Sequence, residues 1–472
     1  MRLLADRIWL IFFIALVGTS WTACQGKVSQ GLPDGNQQQD GDGAANSDDG
    51  GSPADEAGDP GGDPGADPGA DPGADDGDQT NDENPVSEDC TPLGPASGNI
   101  IRKTAAEADS LRQTILDAPA GTTILLADGN YDMSGGDNSH RLSFNTPNVS
   151  LRSESGNPEA VVLDGNYVTG ELVSIAANDI TIAEITLTKA YYHPIHVSGR
   201  DGGNTIGTNI YRVRIIDPGE QAIKINASYD NTYVDYGRVE CCQIELTNCY
   251  TGGVDAHLAW GWVIRLNEIR GFWCDTGLSE HGVHFWVTCR DTLVERNTIV
   301  DCARGIGFGL GDSGNGNERI YPDDPYPEVG YIGHYDGIIR NNFIFSTIPG
   351  FDAGITLEQA HGSKVVHNTV VSLLDPFSSI EWRFTNTDVE IVNNLVSHNL
   401  RDRGGQAALS GNVTDAAAAT FVKQAIGNLH LASSASDCID QGVALPAGLC
   451  DQDIDGDQRD ASYDVGADEL DD

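Results

Sequence analysis

Lys224, Asp255, His257 and His284 are the side chains of this sequence best placed to move protons. They lie in short apolar segments of one form: Ile223-Lys224-Ile225-Asn226, Val254-Asp255-Ala256-His257 and Val283-His284-Phe285-Trp286. An amine, a carboxylate and two imidazoles make an acid–base set. A cation can neutralise a substrate carboxylate while a base removes the adjacent C–H proton and an acid protonates the leaving oxygen. Lys224 or His257 is the candidate base, His284 the candidate acid, and Asp255 an orienting group or metal ligand. Hydrolysis would instead need two carboxylates across the scissile bond. Asp255 with Glu280 is the nearby pair.

Such residues share a site only if their segments are strands stacked in register. The same form recurs around Ile195, Ile306, Ile355 and Ile380, and alternation puts those residues and Ile223, Val254 and Val283 inside. The outward column is then His196, Lys224, Asp255, His284, Gly307, Thr356, Glu381. A second column two residues on is Ser198, Asn226, His257, Trp286, Gly309, Glu358, Arg383. Parallel strands stack about 4.8 Å apart, which brings Lys224, Asp255 and His284 within about 10 Å. His196, Asn226, Trp286, Glu280, His281, Glu358 and Arg383 are the candidate substrate contacts. Gly307 and Gly309 would leave a depression beside them. Two aromatic-rich insertions, 272–281 and 311–335, are expected to flank the same rungs.

A repeat near 25 residues supports the stacking. Short β-branched segments surround a recurring position at Ala183, Val213, Cys242, Asn267, Asn297, Asn342, Asn368 and Asn393, with gaps of 30, 29, 25, 30, 45, 26 and 25. A fixed floor with longer insertions is the mark of a solenoid, and β-branched segments without intervening helices make it a β-solenoid. The asparagines read as an internal ladder at a left-handed corner.

Ahead of the repeat, Ala105–Leu116 has an amphipathic helical pattern, followed by Gly121-Thr-Thr-Ile-Leu-Leu-Ala-Asp-Gly-Asn-Tyr131. This opening resembles the capped first coil of the pectin-lyase-like superfamily, over roughly residues 100–470. The resemblance implies an all-β, right-handed parallel β-helix with an N-terminal helical cap. Its members include polysaccharide lyases, glycoside hydrolases, uronate epimerases, tailspikes and adhesins, whose carbohydrate sites commonly lie on an outward sheet face. Neither the paired-Asp motif of polygalacturonase-like hydrolases nor a clear pectate-lyase calcium-and-arginine signature is present. Fold alone supplies no activity. The side chains suit a polysaccharide lyase acting by β-elimination on a uronic-acid-containing polymer, with Trp286 stacking on a sugar ring. The alternative is a non-catalytic glycan-binding or adhesion module.

The chain has 472 residues, with 27 Lys+Arg against 71 Asp+Glu and a formal charge of −44. That balance disfavours a nucleic-acid partner, since phosphate binding is carried by Lys and Arg. Residues 1–23 read as a signal peptide: Arg2 and Arg7, an apolar run from Ile8 to Val17, then Thr22-Ala23-Cys24. Cys24 resembles the lipidated cysteine of bacterial lipoproteins, although Trp21 departs from the usual pattern. Gln25 after it then implies the outer membrane or cell surface, and without lipid the protein is secreted. Residues 24–90, rich in Gly, Asp and Pro, read as a disordered tether. The β-helix is expected over 91–436 and a C-terminal cap over 437–472, in a monomer that meets the membrane only through its lipid.

Export permits disulfides. The spacing suggests Cys249–Cys274 on adjacent coils and Cys438–Cys450 as a local staple, while the adjacent Cys241-Cys242 cannot both be placed. Asp451, Asp453, Asp455 and Asp457 have the alternation of a Ca²⁺ loop. The position of its closing Glu is Ser462. The same segment, followed by Asp464-Val-Gly-Ala467, resembles a tail that closes bacterial β-helices.

Overall fold

The computed structural model describes residues 90–199, 203–227, 232–247, 252–275, 280–311 and 318–470, all in the unit Gln79–Asp472. The expected signal peptide, Cys24 and all of the tether before Cys90 lie outside these residues. Among the described residues, strands stack into three long sheets in which the neighbouring strands run parallel. One coil runs from Val263–Arg265 in the first sheet to Glu268–Arg270 in the second and His281–Trp286 in the third. It returns to the first sheet at Leu293–Glu295, one rung on. This is a right-handed parallel β-helix. Ile195, Ile223, Val254, Val283, Ile306, Ile355 and Ile380 are fully buried, as period-two alternation requires.

The corner between first and second sheets carries the ladder. The backbone of Asn267 donates to Asn297 Oδ1, and the relay continues through Asn342, Asn368, Asn394 and Asn412. Two details differ from expectation. The left-handed residue is the one before each ladder position: Leu266, Arg296, Asn341, His367 and Asn393 have φ between 51° and 58°. That residue turns the chain, and the next aims its side chain inward. Consequently Asn394, not Asn393, continues the ladder, and Ile185, not Ala183, occupies the earlier position, as the register from Thr186 to Arg214 shows.

At the N-terminal end, a 3-10 turn (Ala105–Glu107) leads into the helix Ala108–Asp117, whose Ala108, Leu111 and Ile115 are buried. Thr104 and Glu107 form a capping box, the backbone N–H of Thr104 donating to Glu107 Oε2 at 3.0 Å. The last parallel strand is Gln406–Ser410, with one more parallel bridge from Leu395 to Val413. A small antiparallel pair, Phe421–Lys423 with Asn428–Leu431, begins the closing segment.

Cys241 bonds Cys90 across 151 residues. The segment after Cys90 runs along the first sheet: Leu93 N–H donates to Glu184, and Arg152 donates to Leu93 and Gly94 carbonyls. Cys274 is disulfide-bonded, while Cys249, its expected partner, lies outside the described residues. The expected Cys438–Cys450 staple is absent: both are buried free thiols. Cys438 packs with Phe343, Phe345 and Val465, whereas Cys450 packs with Val366 and Val392 and donates to Asn341 Oδ1. Closing so long a loop restricts the unfolded chain, so Cys90→Ser should cost about 5 kcal/mol. Urea titration should show a lower midpoint than wild type under oxidising conditions, and a smaller shift than full reduction of wild type gives, since reduction also breaks the bond of Cys274. An unchanged midpoint would mean the bond is not made.

Candidate functional site

The third sheet holds both outward columns in the expected register. His196 lies opposite Lys224, Lys224 opposite Asp255, Asp255 opposite His284, and His284 opposite Gly307. His257 lies opposite Trp286, and Glu358 opposite Arg383. Adjacent rungs thus place an amine, a carboxylate, an imidazole and an indole side by side.

Asp255 is the hub and is 3 % exposed. Lys224 Nζ donates to its Oδ2, and Trp286 Nε1 donates to its Oδ1 at 2.7 Å. His257 Nε2 lies 3.4 Å from Oδ2 and 3.3 Å from Lys224 Nζ. Burial alone would raise the Asp255 carboxyl, but the charge of Lys224, with the neighbouring His257, outweighs it and holds the pKa well below 3.8. Burial, aided by Lys224, lowers His257, so it is a neutral imidazole at neutral pH. Its ring meets the Trp286 ring edge-on at 4.4 Å.

His284 and His281 stand behind this face. The His284 ring stacks on Trp286 at 5.2 Å and on the other side lies 4.1 Å from His281. His284 Nε2–H donates to Gly309 O, and His281 Nε2 pairs with Thr356 Oγ1. Burial pushes His284 down to about 4. It is therefore neutral near pH 7, its N–H committed to a carbonyl, and its visible work is to support Trp286. The expected depression at Gly307 is filled. A Cβ there would lie 2.6 Å from His281 Nε2, and one at Gly309 would collide with the Glu358 carbonyl. These glycines admit neighbouring groups rather than a ligand.

Glu280 closes the face from the loop side, where Gln221 Nε2 donates to its Oε2 at 2.6 Å. Burial, reinforced by the charge of Asp255, raises Glu280 to about 7. Gln221 escaped the sequence reading because it sits just outside the strand pattern. The Glu280 proton is lost above that value, so any step that draws a proton from Glu280 should fail as pH rises through about 7. Glu280→Gln should remove that pH dependence. Stability should also fall with rising pH between the ordinary carboxyl value and about 7, because the folded state holds the extra proton there. Wild-type and E280Q profiles that overlay would contradict both statements.

The outer contacts are spread along the sheet. His196 bridges Glu171 Oε1 at 2.7 Å and Asn226 Oδ1 at 2.8 Å. Arg383 Nη1 donates to Glu358 Oε1 at 3.1 Å, three rungs from Trp286. Tyr331 of the insertion flanks the Trp286 rung as expected: its hydroxyl donates to Leu310 O at 3.1 Å, and a Cβ at Gly311 would lie 3.1 Å from the Trp286 ring and 3.3 Å from that hydroxyl. Arg319 forms a two-pronged pair with Asp235, and Tyr321 packs with Tyr335 and Trp260, anchoring it over the first sheet. His334 stacks on Phe308 at 3.9 Å within the solenoid wall.

In the closing segment, Asp453 Oδ1 accepts the backbone N–H groups of Asp455, Gly456 and Asp457, each at 2.9 Å. Asp451 accepts from Gly448, and Asp455 pairs with His430 at 3.0 Å. Among the described residues, three metal-ligating donors within 4.8 Å of one another occur at His430, Asp455 and Asp468, so Asp451, Asp453 and Asp457 do not converge with Asp455. The loop is held by these backbone hydrogen bonds to Asp453.

No protein-family model and no curated protein matches the chain. Among solved structures it is similar to pectate lyase Pel9A, at 13 % identity and TM-score 0.49, covering 80 % of this chain and 98 % of that one. It is also similar to a tailspike protein of E. coli bacteriophage HK620 in complex with pentasaccharide, at 13 % identity and TM-score 0.45, covering 64 % and 56 %. A mannuronic acid specific polysaccharide family 6 lyase from human gut microbiota aligns at 13 % identity and TM-score 0.34, covering 66 % and 83 %. The decisive observation is the chain's own three parallel stacks joined one rung per coil. The fold is a right-handed parallel β-helix. In this β-helix the candidate centre occupies the outward face of the third sheet, with its side chains drawn from strands Ile223–Asn226, Val254–His257 and His281–Trp286.

Proposed function

We propose that the β-helix engages a uronic-acid-containing polysaccharide along the third sheet and cleaves it by β-elimination. The observation that carries this reading is the bonded Lys224–Asp255–His257–Trp286 array on adjacent rungs. Trp286 supplies a flat face for a sugar ring. Lys224, already charged in its pair with Asp255, serves as the neutraliser of the sugar carboxylate rather than as the base. As it turns toward that carboxylate it frees Nε2 of neutral His257 to take the C5 proton, and Glu280 protonates the leaving oxygen. Display at the cell surface through a lipid on Cys24 belongs to the same proposal.

The opposed shifts of Glu280, raised, and Asp255, lowered, favour a second reading, glycoside hydrolysis with Glu280 as acid. Incubation with a panel of polyuronates separates the two. Elimination creates an absorbing unsaturated bond, whereas hydrolysis creates reducing ends without that absorbance. Binding without either product would leave a glycan-binding module. Absorbance that survives in Lys224→Ala and His257→Ala would overturn the roles of these two side chains.

A further inference from the structure

A cavity of about 480 Å³ lies at the end of the third sheet, outside the Lys224–Trp286 centre. Its lining includes Tyr331 from the insertion, Gln359 and Phe384 just past the strands Ala353–Glu358 and Ser378–Arg383, and Asn386 and Arg403. Its volume falls within the range of small-molecule sites, about 300–1,000 Å³. The two strands are two and three rungs beyond Trp286, or about 10–14 Å along the helix axis. A polymer lying on Trp286 and following that axis therefore reaches the cavity within a few sugar units.

The chemistry of the lining is specific. Arg403 spends one nitrogen on Glu381 at 2.7 Å, and a guanidinium offers five donors. Phe384 is held with φ +74°, a conformation that costs an aromatic residue energy, and Arg383 lies over its ring at 4.4 Å. Gln359 also has positive φ, and its Oε1 is shielded from solvent with no hydrogen-bond partner among the described residues. The side chain that carries this unsatisfied acceptor lines the cavity. An aromatic face, a guanidinium and an acceptor in need of a donor match a sugar ring carrying hydroxyls and a carboxylate.

We propose that this cavity is a distal subsite for one acidic sugar unit of the same polymer, its carboxylate on Arg403 and a hydroxyl on Gln359. The proposal rests on the reading of the chain as a polysaccharide-engaging protein. Calorimetric titration of the full chain with uronate dimers and hexamers tests it, using wild type, Arg403→Gln and Gln359→Leu. Wild type should bind hexamers more tightly than dimers. Each variant should lose about tenfold in hexamer affinity and nothing for dimers. Gln359→Leu, which removes an unsatisfied acceptor, should melt no lower than wild type, so its result stands if Arg403→Gln folds poorly. Unchanged hexamer affinity in Gln359→Leu and in folded Arg403→Gln would overturn the subsite and leave the Lys224 centre intact. A wild type that binds neither oligomer would overturn the functional reading and the subsite together. Equal affinity for carboxyl-reduced hexamers would overturn the carboxylate assignment.

Discussion

Asp255→Asn should lower the unfolding free energy by about 3–5 kcal/mol at neutral pH and reduce turnover at least ~10²-fold. The substitution keeps the shape and the acceptor for Trp286 Nε1 but leaves the Lys224 ammonium, only 13 % exposed, without its counter-charge. His257 is displaced with it, since its Nε2 sits between the two. Because the carboxyl is depressed in the folded state, its contribution is complete above the ordinary carboxyl pKa and is lost as pH falls toward the depressed value. The Asp255→Asn stability deficit should therefore shrink in acid. The double variant Asp255→Asn, Lys224→Met should recover much of the stability, having removed both charges, and none of the turnover. Urea unfolding of the two variants decides this. A single variant as stable as wild type would mean that Lys224 finds its counter-charge elsewhere.

Asn297→Leu should cost about 4 kcal/mol although it lies far from any reacting group. The side chain is fully buried. Its Oδ1 accepts from Asn267 N at 3.1 Å and Nδ2 at 2.9 Å, while its Nδ2 donates to Ile264 O and Asn342 Oδ1, both at 2.9 Å. Leucine fills a similar volume but leaves those partners unsatisfied in a dry interior, at about 1–3 kcal/mol each before relaxation. A loss below about 1 kcal/mol would show that the ladder is ornamental.

The register of the third sheet was legible because strand alternation admits only one inward choice at Ile223, Val254 and Val283. Once those stack, Lys224, Asp255 and His284 must share a face. The contents of that face were less legible. Nothing in the spacing says that imidazoles from the His284 rung fill the space over Gly307, or that Gln221 reaches Glu280 across 59 residues. Two adjacent asparagines at 393 and 394 differ only in which one turns the chain, a distinction of a single φ angle. The insertion's anchor over the first sheet was not legible either, because Arg319 reaches Asp235, 84 residues away. The Cys90–Cys241 bond depends on a terminal segment running along the first sheet, which has no periodic signature.

The central claim is that three consecutive rungs form one polysaccharide-working centre, and a crystal of the chain soaked with a uronate oligosaccharide tests it most directly. A sugar ring is expected over Trp286, its carboxylate against Lys224 and its C5 hydrogen facing His257 Nε2. Sugar density on another sheet, with Lys224 still closed on Asp255, would contradict it.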